Sequence, residues 1–292
     1  MRIGLTANPQ KPKAVALARQ AIALIGDRAE LVVSEETASV LRTAHAAAPL
    51  DALTADALIA IGGDGTFLYA LQQTTVPLLP VNAGTFGFLA EVDGGSDSEF
   101  AAAIDRLLRG DYILESRMKL ASHLAGARLP DATNEVVVHT SQVAKMRRFE
   151  IAVSGEPVGE LRADGIILGT PTGSTSYALS AMGPIVDPGV PAIVIAALAP
   201  FRATPRTVVV DPLKTVTVRL LDPAKDAVIV VDGQGEFPLA GGGSVTVYRS
   251  TRQATFVRFH PHFFDRLRGK KILPWTDVEP REASHADLPT SA

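Results

Sequence analysis

The chain has 292 residues, 47% of them hydrophobic and 20% charged, with 28 Lys and Arg against 31 Asp and Glu for a formal charge of -3. That length suits one large domain or two smaller ones, and the slight acidic balance argues against a general nucleic-acid binder, which carries a basic excess. The complete lack of cysteine excludes disulfides, thiol nucleophiles and Cys-ligated zinc, and is compatible with a reducing compartment.

The opening segment MRIGLTANPQ lacks a long apolar stretch, so no secretory signal is expected. RIGLTA (2–7) reads as a strand. PKAVALARQAIALIG (12–26) reads as a helix, with Pro12 near its start and Gly26 at its end. AELVVSE (29–35) reads as a strand, TASVLRTAHAA (37–47) as a helix, and DALIAIGG (56–63) as a strand buried on both faces. TFLYALQQT follows as a helix and VPLLPVNAG as a strand. This alternation predicts a parallel sheet covered by helices, with ligands beyond the carboxyl ends of its strands.

Beyond about residue 117 short β-rich runs dominate: 133–140, 148–155, 165–170, 192–198, 206–212, 215–222, 226–233 and 244–250. Gly, Pro and Asp turns between them predict a sandwich-like antiparallel structure. VPAIVIAALAPF (190–201), the most apolar stretch, is too short to span a membrane. FFDRLRGKKI (263–272) reads as a final helix. The expected organisation is an α/β domain with a parallel sheet over 1–117, a β-rich domain over 118–257, a segment of about 258–275 packing back on the first, and a poorly ordered tail over 277–292. A cytoplasmic chain without membrane or nucleic-acid partners is expected.

Three segments carry chemistry. GGDGT follows the buried strand. Gly62, Gly63 and Gly65 permit close backbone approach, Thr66 can cap the next helix, and together they suit phosphate. Asp64 places a carboxylate there, which phosphates repel unless it holds a metal ion or takes a proton from an attacking hydroxyl. A plain strand–helix turn with Asp64 as a cap is the alternative. The second segment is ADGIILGTPTGSTSYALSAMGPI (163–185), where Asp164–Gly165 leads through a strand into a turn of hydroxyls opening a helix. The third is TNEVVVH, whose Asn134 and Glu135 form a polar pair needing partners.

GGDGT at 62–66, Asn134–Glu135 and DG…TPTGSTSY…GPI at 164–185 together resemble the NAD kinase family, in order and spacing, from about 57 to 250. GGDGT alone is also similar to diacylglycerol and sphingosine kinases and to the GGDGS of phosphofructokinases. The resemblance implies phosphorylation of the 2′-hydroxyl of the adenosine ribose of NAD, giving NADP, with ATP or polyphosphate as donor and a divalent metal such as Mg²⁺. It implies an N-terminal α/β and a C-terminal β-rich domain, in a homodimer or homotetramer. Position by position, Asp64 is implied as proton acceptor with Gly65 beside the substrate. Asn134, Glu135, Asp164 and the run Thr175, Ser176, Tyr177, Ala178, Leu179, Ser180 are implied as NAD contacts, with Lys145, Arg162 and Gln234 as further contacts to nucleotide. No residue is assigned as a metal ligand.

The sequence departs from the family pattern at Lys145, where many relatives have His, at Phe201 and Arg202, which replace His and a hydroxyl residue, and at Met182, where Gly is usual. His260 and His262 form a His-x-His pair without a third metal ligand. Lys145, Arg147 and Arg148 read as a solvated basic face, with phosphate contact an alternative for Lys145. Trp275 and Phe263–Phe264 read as packing residues of the last helix. A lipid kinase of the same superfamily and a non-catalytic NAD(P) sensor are the rival readings; Asn134–Glu135 with TPTGSTSY argue against the first, and Asp64 against the second.

Overall fold

The computed structural model describes residues 1–84, 87–201, 206–260, 263–270 and 272. The expectations for Arg202, His262, Trp275 and the 277–292 tail lie outside the described residues.

The first part alternates strand and helix: β1 (Arg2–Ala7), α1 (Pro12–Ile25), β2 (Glu30–Ser34), α2 (Glu35–Leu41), β3 (Ala46–Ala48), β4 (Ala57–Gly62), α3 (Asp64–Gln73), β5 (Leu78–Asn82), β6 (Val92–Asp93) and α4 (Asp97–Arg109). Helix α1 buries Ala14, Leu17, Ala18, Ala21 and Ile25 on one stripe, and Gly26 closes it at φ +48. The stripe has helical spacing. Helix α4, unexpected from the sequence, is capped by Ser96, whose hydroxyl accepts the Glu99 N–H, and ended by Gly110 at φ +73. The expected helix over 37–47 is shorter. Arg42 turns the chain at φ +51, and Ala46–Ala48 pair with Val32–Ser34 as an edge strand. Sheet pairing there overrides alanine's helical preference.

The second part is β7 (Ile113–Leu124), β8 (Ala127–Arg128), β9 (Glu135–Thr140), β10 (Arg147–Val153), β11 (Glu156–Ala163), β12 (Gly165–Gly169), the one-turn α5 (Tyr177–Ser180), β13 (Ile193–Leu198), β14 (Val208–Val210), β15 (Val216–Leu220), β16 (Ala227–Val231), β17 (Gly235–Leu239) and β18 (Ser244–Arg258). By itself, the terminal unit Pro261–Ala292 contributes α6 (Phe263–Gly269), whose Phe263 and Phe264 rings meet edge to face.

Strands β3-β2-β1-β4-β5 are parallel neighbours. Their order reverses between β1 and β4, the switch point where such sheets bind ligands. Strand β4 is buried along its whole length. Ile59 and Ile61 face α1 and α4, whereas Leu58 and Ala60 face Phe67, Leu68 and Leu71 of α3. The expected α/β part with a parallel sheet is therefore present.

The β-rich part is also present. Order β14-β13-β12-β9-β16-β17 forms an antiparallel sheet. Its inner residues Val136, Val138, Ile166, Leu168 and Ile229 share a core with Phe149, Val216, Val218 and Val245 of the larger sheet. Strand β18 contributes to three hydrophobic cores: Val245 and Val247 lie in this sandwich core, Phe256 beneath α3 and Val257 on the α1 side. It pairs antiparallel with β7 and β15 and, through Phe256 opposite Leu78, parallel with β5.

Candidate active site

Asp64 is the first residue of α3, after Gly63 as N-cap. The helix thus begins two residues earlier than the sequence suggests, and the carboxylate sits where the helix dipole favours it. Thr66 caps from the third helical position rather than from the N-cap itself: its hydroxyl accepts the Gly63 N–H at 3.5 Å and the Asn8 side-chain amide at 3.3 Å. A Cβ on Gly62 would lie 2.3 Å from that hydroxyl oxygen, so this turn requires glycine. The loop after β5 wraps the carboxylate: the backbone N–H of Phe88 donates to Asp64 Oδ2 at 2.9 Å, and that of Leu89 to Oδ1 at 3.3 Å. Gly87 lies so close that a Cβ there would fall 2.0 Å from Oδ1.

Asp64 opens into a cavity of about 260 Å³ shared with Phe88, Leu89, Asn134, Thr172, Thr175 and Ser176. Asn134 and Glu135, at the start of β9, are buried. The Asn134 side-chain oxygen and Glu135 Oε2 are both buried without a hydrogen-bond partner, which marks them as acceptors for something that enters. Ser176 Oγ donates to Glu135 Oε1 at 3.4 Å. Burial, then the nearby Asp232 carboxylate, pushes the Glu135 carboxyl up to about 8.

The glycine–hydroxyl turn folds tightly on this pair. Thr170 Oγ1 donates to the Thr133 carbonyl at 2.6 Å and accepts the Gly173 N–H at 3.0 Å. A Cβ on Gly173 would lie 2.1 Å from the Asn134 carbonyl oxygen. Ser174 and Thr175 spend their hydroxyls on the carbonyls of Pro171 and Thr172. Of the implied run, Thr175 and Ser176 line the cavity, Ala178 packs under the small sheet with Val137 and Ile167, Leu179 is half-buried, and Tyr177 and Ser180 are exposed. Met182 takes φ +59 with its side chain 90% exposed, a backbone conformation glycine adopts more readily.

Gln234 joins the GGDG side, its side-chain amide donating to the Gly65 carbonyl at 3.3 Å. A crevice of about 350 Å³ lies there, between the loop after β1, with Asn8 and Lys11, and Gly63, Gly65 and Thr66 after β4. Lys11 Nζ sits 3.2 Å from where a Cβ on Gly63 would be. Sequence reasoning missed Asn8 and Lys11, although Asn8–Pro9 right after the first strand is a visible turn signal.

Lys145, Arg162 and Asp164 gather elsewhere, with Phe201, around a cavity of about 550 Å³. Arg162 lies 5.1 Å from the Phe201 ring centroid, and Asp164 Oδ1 is buried without a partner. Asp164 precedes β12 and Thr170 follows it, so the five-residue strand separates the two groups by about 17 Å. The basic face is only partly solvated. Arg147 is buried, donating to the Asp226 and Lys145 carbonyls. Arg148 pairs with Glu160 on the surface. His260 meets Arg106 at 3.3 Å.

Two further residues were illegible in sequence. Asp232, in the turn after β16, accepts three backbone N–H groups, from Thr133 at 2.7 Å, Asn134 at 2.8 Å and Glu135 at 3.1 Å. Buried Lys119 on β7 donates to the Leu71 carbonyl of α3 at 2.6 Å; burial pushes its ammonium down to about 8, against the pull of Asp232 and Asp131.

Fold and cavity together define a class: an α/β protein with a glycine-lined crevice at its switch point and a buried carboxylate pocket beside it. Comparisons narrow it. The ATP-NAD kinase N-terminal domain matches residues 3–112 and the ATP-NAD kinase C-terminal domain residues 133–259. The chain is 36% identical to the NAD kinase of Thermoplasma volcanium over 272 residues, 93% of this chain and 98% of that protein. It is 39% identical to that of Methanothermobacter thermautotrophicus over 280 residues, 93% and 96% of the two. An Archaeoglobus fulgidus NAD kinase solved in complex with ATP superposes with a TM-score of 0.74 at 26% identity, covering 92% of this chain and 98% of that one. Yeast NADH kinase complexed with NADH gives 0.83 at 23%, covering 97% and 90%. The chain belongs to the NAD kinase family.

Proposed function

We propose that this NAD kinase phosphorylates the 2′-hydroxyl of the adenosine ribose of NAD, with Asp64 as proton acceptor. The observation that carries the reading is the Asp64 carboxylate, fixed by two backbone N–H groups at the mouth of the cavity lined by Asn134, Thr175 and Ser176. The ribose hydroxyl there attacks the terminal phosphorus of the donor. An oxygen–phosphorus bond forms, the bond to the leaving phosphate breaks, and the hydroxyl proton passes to Asp64. Position matters more than basicity for such a transfer.

Asn134, Glu135 and Ser176 hold the nucleotide by their unpaired acceptors and hydroxyl. Gly62, Gly63, Gly65 and Thr66 with Lys11 form the cradle for the donor's phosphates, ATP or polyphosphate, and Gln234 closes its rim. Lys145, Arg162 and Asp164, a strand's length away, meet the part of the dinucleotide remote from the reacting ribose. Among the described residues no group of three or more acidic or His side chains could cage a metal. Asp64 is the acid that lines the cavity of about 260 Å³, and a single carboxylate fits a Mg²⁺ held chiefly by donor phosphates and water. Such an ion neutralises charge on the transferring phosphoryl group.

No helix among the described residues is long and apolar enough to cross a membrane; a cytoplasmic homodimer or homotetramer completes the reading. Purified protein with NAD, Mg²⁺ and either ATP or polyphosphate tests it. NADP formation is the expected result, with the better donor identified in the same experiment; tight NAD binding without product with either donor overturns it.

A further inference from the structure

The last residue of β18 is tied to the loop that holds Asp64. Arg258 is 3% exposed. Its Nη1 donates to the Leu89 carbonyl at 2.9 Å and to Glu91 Oε2 at 3.1 Å, and its Nε donates to Glu115 Oε2 at 2.8 Å. The other Glu91 oxygen accepts the Phe259 N–H at 2.8 Å. The guanidinium lies 4.5 Å from the Phe256 ring centroid, so ring and carboxylates together fix its plane. Leu89 is the residue whose N–H donates to Asp64 Oδ1. The chain of contacts thus runs Arg258, Leu89 carbonyl, Leu89 N–H, Asp64 carboxylate.

We propose that Arg258 is a positioning residue for phosphoryl transfer: through Leu89 it fixes the direction in which Asp64 presents its carboxylate. The inference rests on the reading of Asp64 as proton acceptor. A carboxylate held by two N–H groups turns with them. Those N–H groups sit on a loop between two strands, and a loop backbone is free to shift unless its carbonyls are pinned. Arg258 supplies that pin from a strand that is itself paired on both sides, the kind of rigid support a preorganised site needs. A fork that bonds a carbonyl and two carboxylates at once is a task for Arg; Lys, with a compact ammonium, keeps the charge but cannot span all three.

The test uses the full chain and follows NADP formation, binding of NAD and thermal midpoint in Arg258→Lys, Asp64→Asn, the double variant and Glu115→Gln. The last weakens the partner of Arg258 Nε and leaves the Nη1 bonds to Leu89 and Glu91 in place. Arg258→Lys is expected to lower kcat by on the order of 10- to 100-fold, as small misplacements of reacting groups do, while KM for NAD stays close to wild type. In the Asp64→Asn background it is expected to cost nothing further. A loss of kcat no larger than that in Glu115→Gln at the same loss of thermal midpoint overturns the proposal, as does a full further loss in the double variant. If Arg258→Lys does not fold, Glu91→Gln, which removes a carboxylate aiming the guanidinium, must show a several-fold fall in kcat at near-constant KM or the proposal fails. Turnover retained by Asp64→Asn sinks the Asp64 reading itself; turnover lost there but retained in Arg258→Lys sinks only the role of Arg258.

Discussion

Asp232 holds Glu135 by the backbone and opposes it by charge: its Oδ1 accepts the Glu135 N–H at 3.1 Å, while its carboxylate, after burial, helps raise the Glu135 carboxyl. Burial raises both acids. Three N–H donors and the Lys119 ammonium work against that rise at Asp232, whereas Glu135 has the Ser176 hydroxyl at 3.4 Å and less to offset its burial. Pushed up to about 8, the Glu135 carboxyl holds its proton to higher pH than an ordinary glutamate, and in that form it can donate as well as accept.

This fixes a pH dependence. The Glu135 carboxyl binds its proton more tightly folded, at about 8, than at its ordinary value of 4.5. The stability it contributes is therefore complete below about 4.5 and is lost as pH rises through about 8. Glu135→Gln removes that dependence. Thermal midpoints recorded across this range should fall more steeply in wild type than in the Gln variant; parallel curves would show that Glu135 keeps its charge.

Replacing Asp64 by Asn preserves shape and one hydrogen-bond acceptor but removes the proton acceptor. Turnover should drop by roughly 10² to 10⁴, the usual worth of a positioned base, with NAD affinity by calorimetry nearly unchanged. Wild-type-like kcat would remove Asp64 from the proton transfer.

Lys11 is assigned to the donor, and Asn134 with Glu135 to NAD, so the two should separate kinetically. Lys11→Met should raise KM for ATP or polyphosphate by about 10-fold, the scale of one charged hydrogen bond, and leave KM for NAD within error. Equal rises in both constants would mean that the crevice is not a separate donor site.

Gly173→Ala tests the close approach of the hydroxyl-rich turn to β9. The added Cβ would meet the Asn134 carbonyl at 2.1 Å, and relief of that overlap must move Asn134. Overpacking of this kind costs about 1–3 kcal/mol. A lower thermal midpoint together with weakened NAD binding is the expected result; unaltered affinity would detach Asn134 from the nucleotide.

The sequence announces this site where chemistry is local. Gly62 to Thr66 and Thr170 to Ser176 are runs whose glycines and hydroxyls serve backbone contacts within a few residues, so composition alone shows them. Asn134–Glu135 is visible as a polar pair opening an apolar strand. Lys119, Asp232 and Arg258 are lone charges in ordinary strands and turns; their roles arise from partners 48, 97 to 99 and 143 to 169 positions away. The same holds for the fold. Burial along β4 is plain in ALIAIG, while the ending of α2 at Arg42 is decided by an edge that β2 leaves open.

Strand β18 also bears on how the chain is made. During synthesis the N-terminal strands leave the ribosome long before residues 244–258, yet the outer flank of β5 and the brace on Leu89 both await them. Until then the nascent sheet carries an open edge, the kind of surface that recruits other strands. Such distant pairing makes folding slow and exposes the half-made protein to aggregation. Ribosome-bound chains cut short before residue 244 should accordingly engage chaperones, and a peptide of the β18 sequence supplied in trans should compete with that engagement.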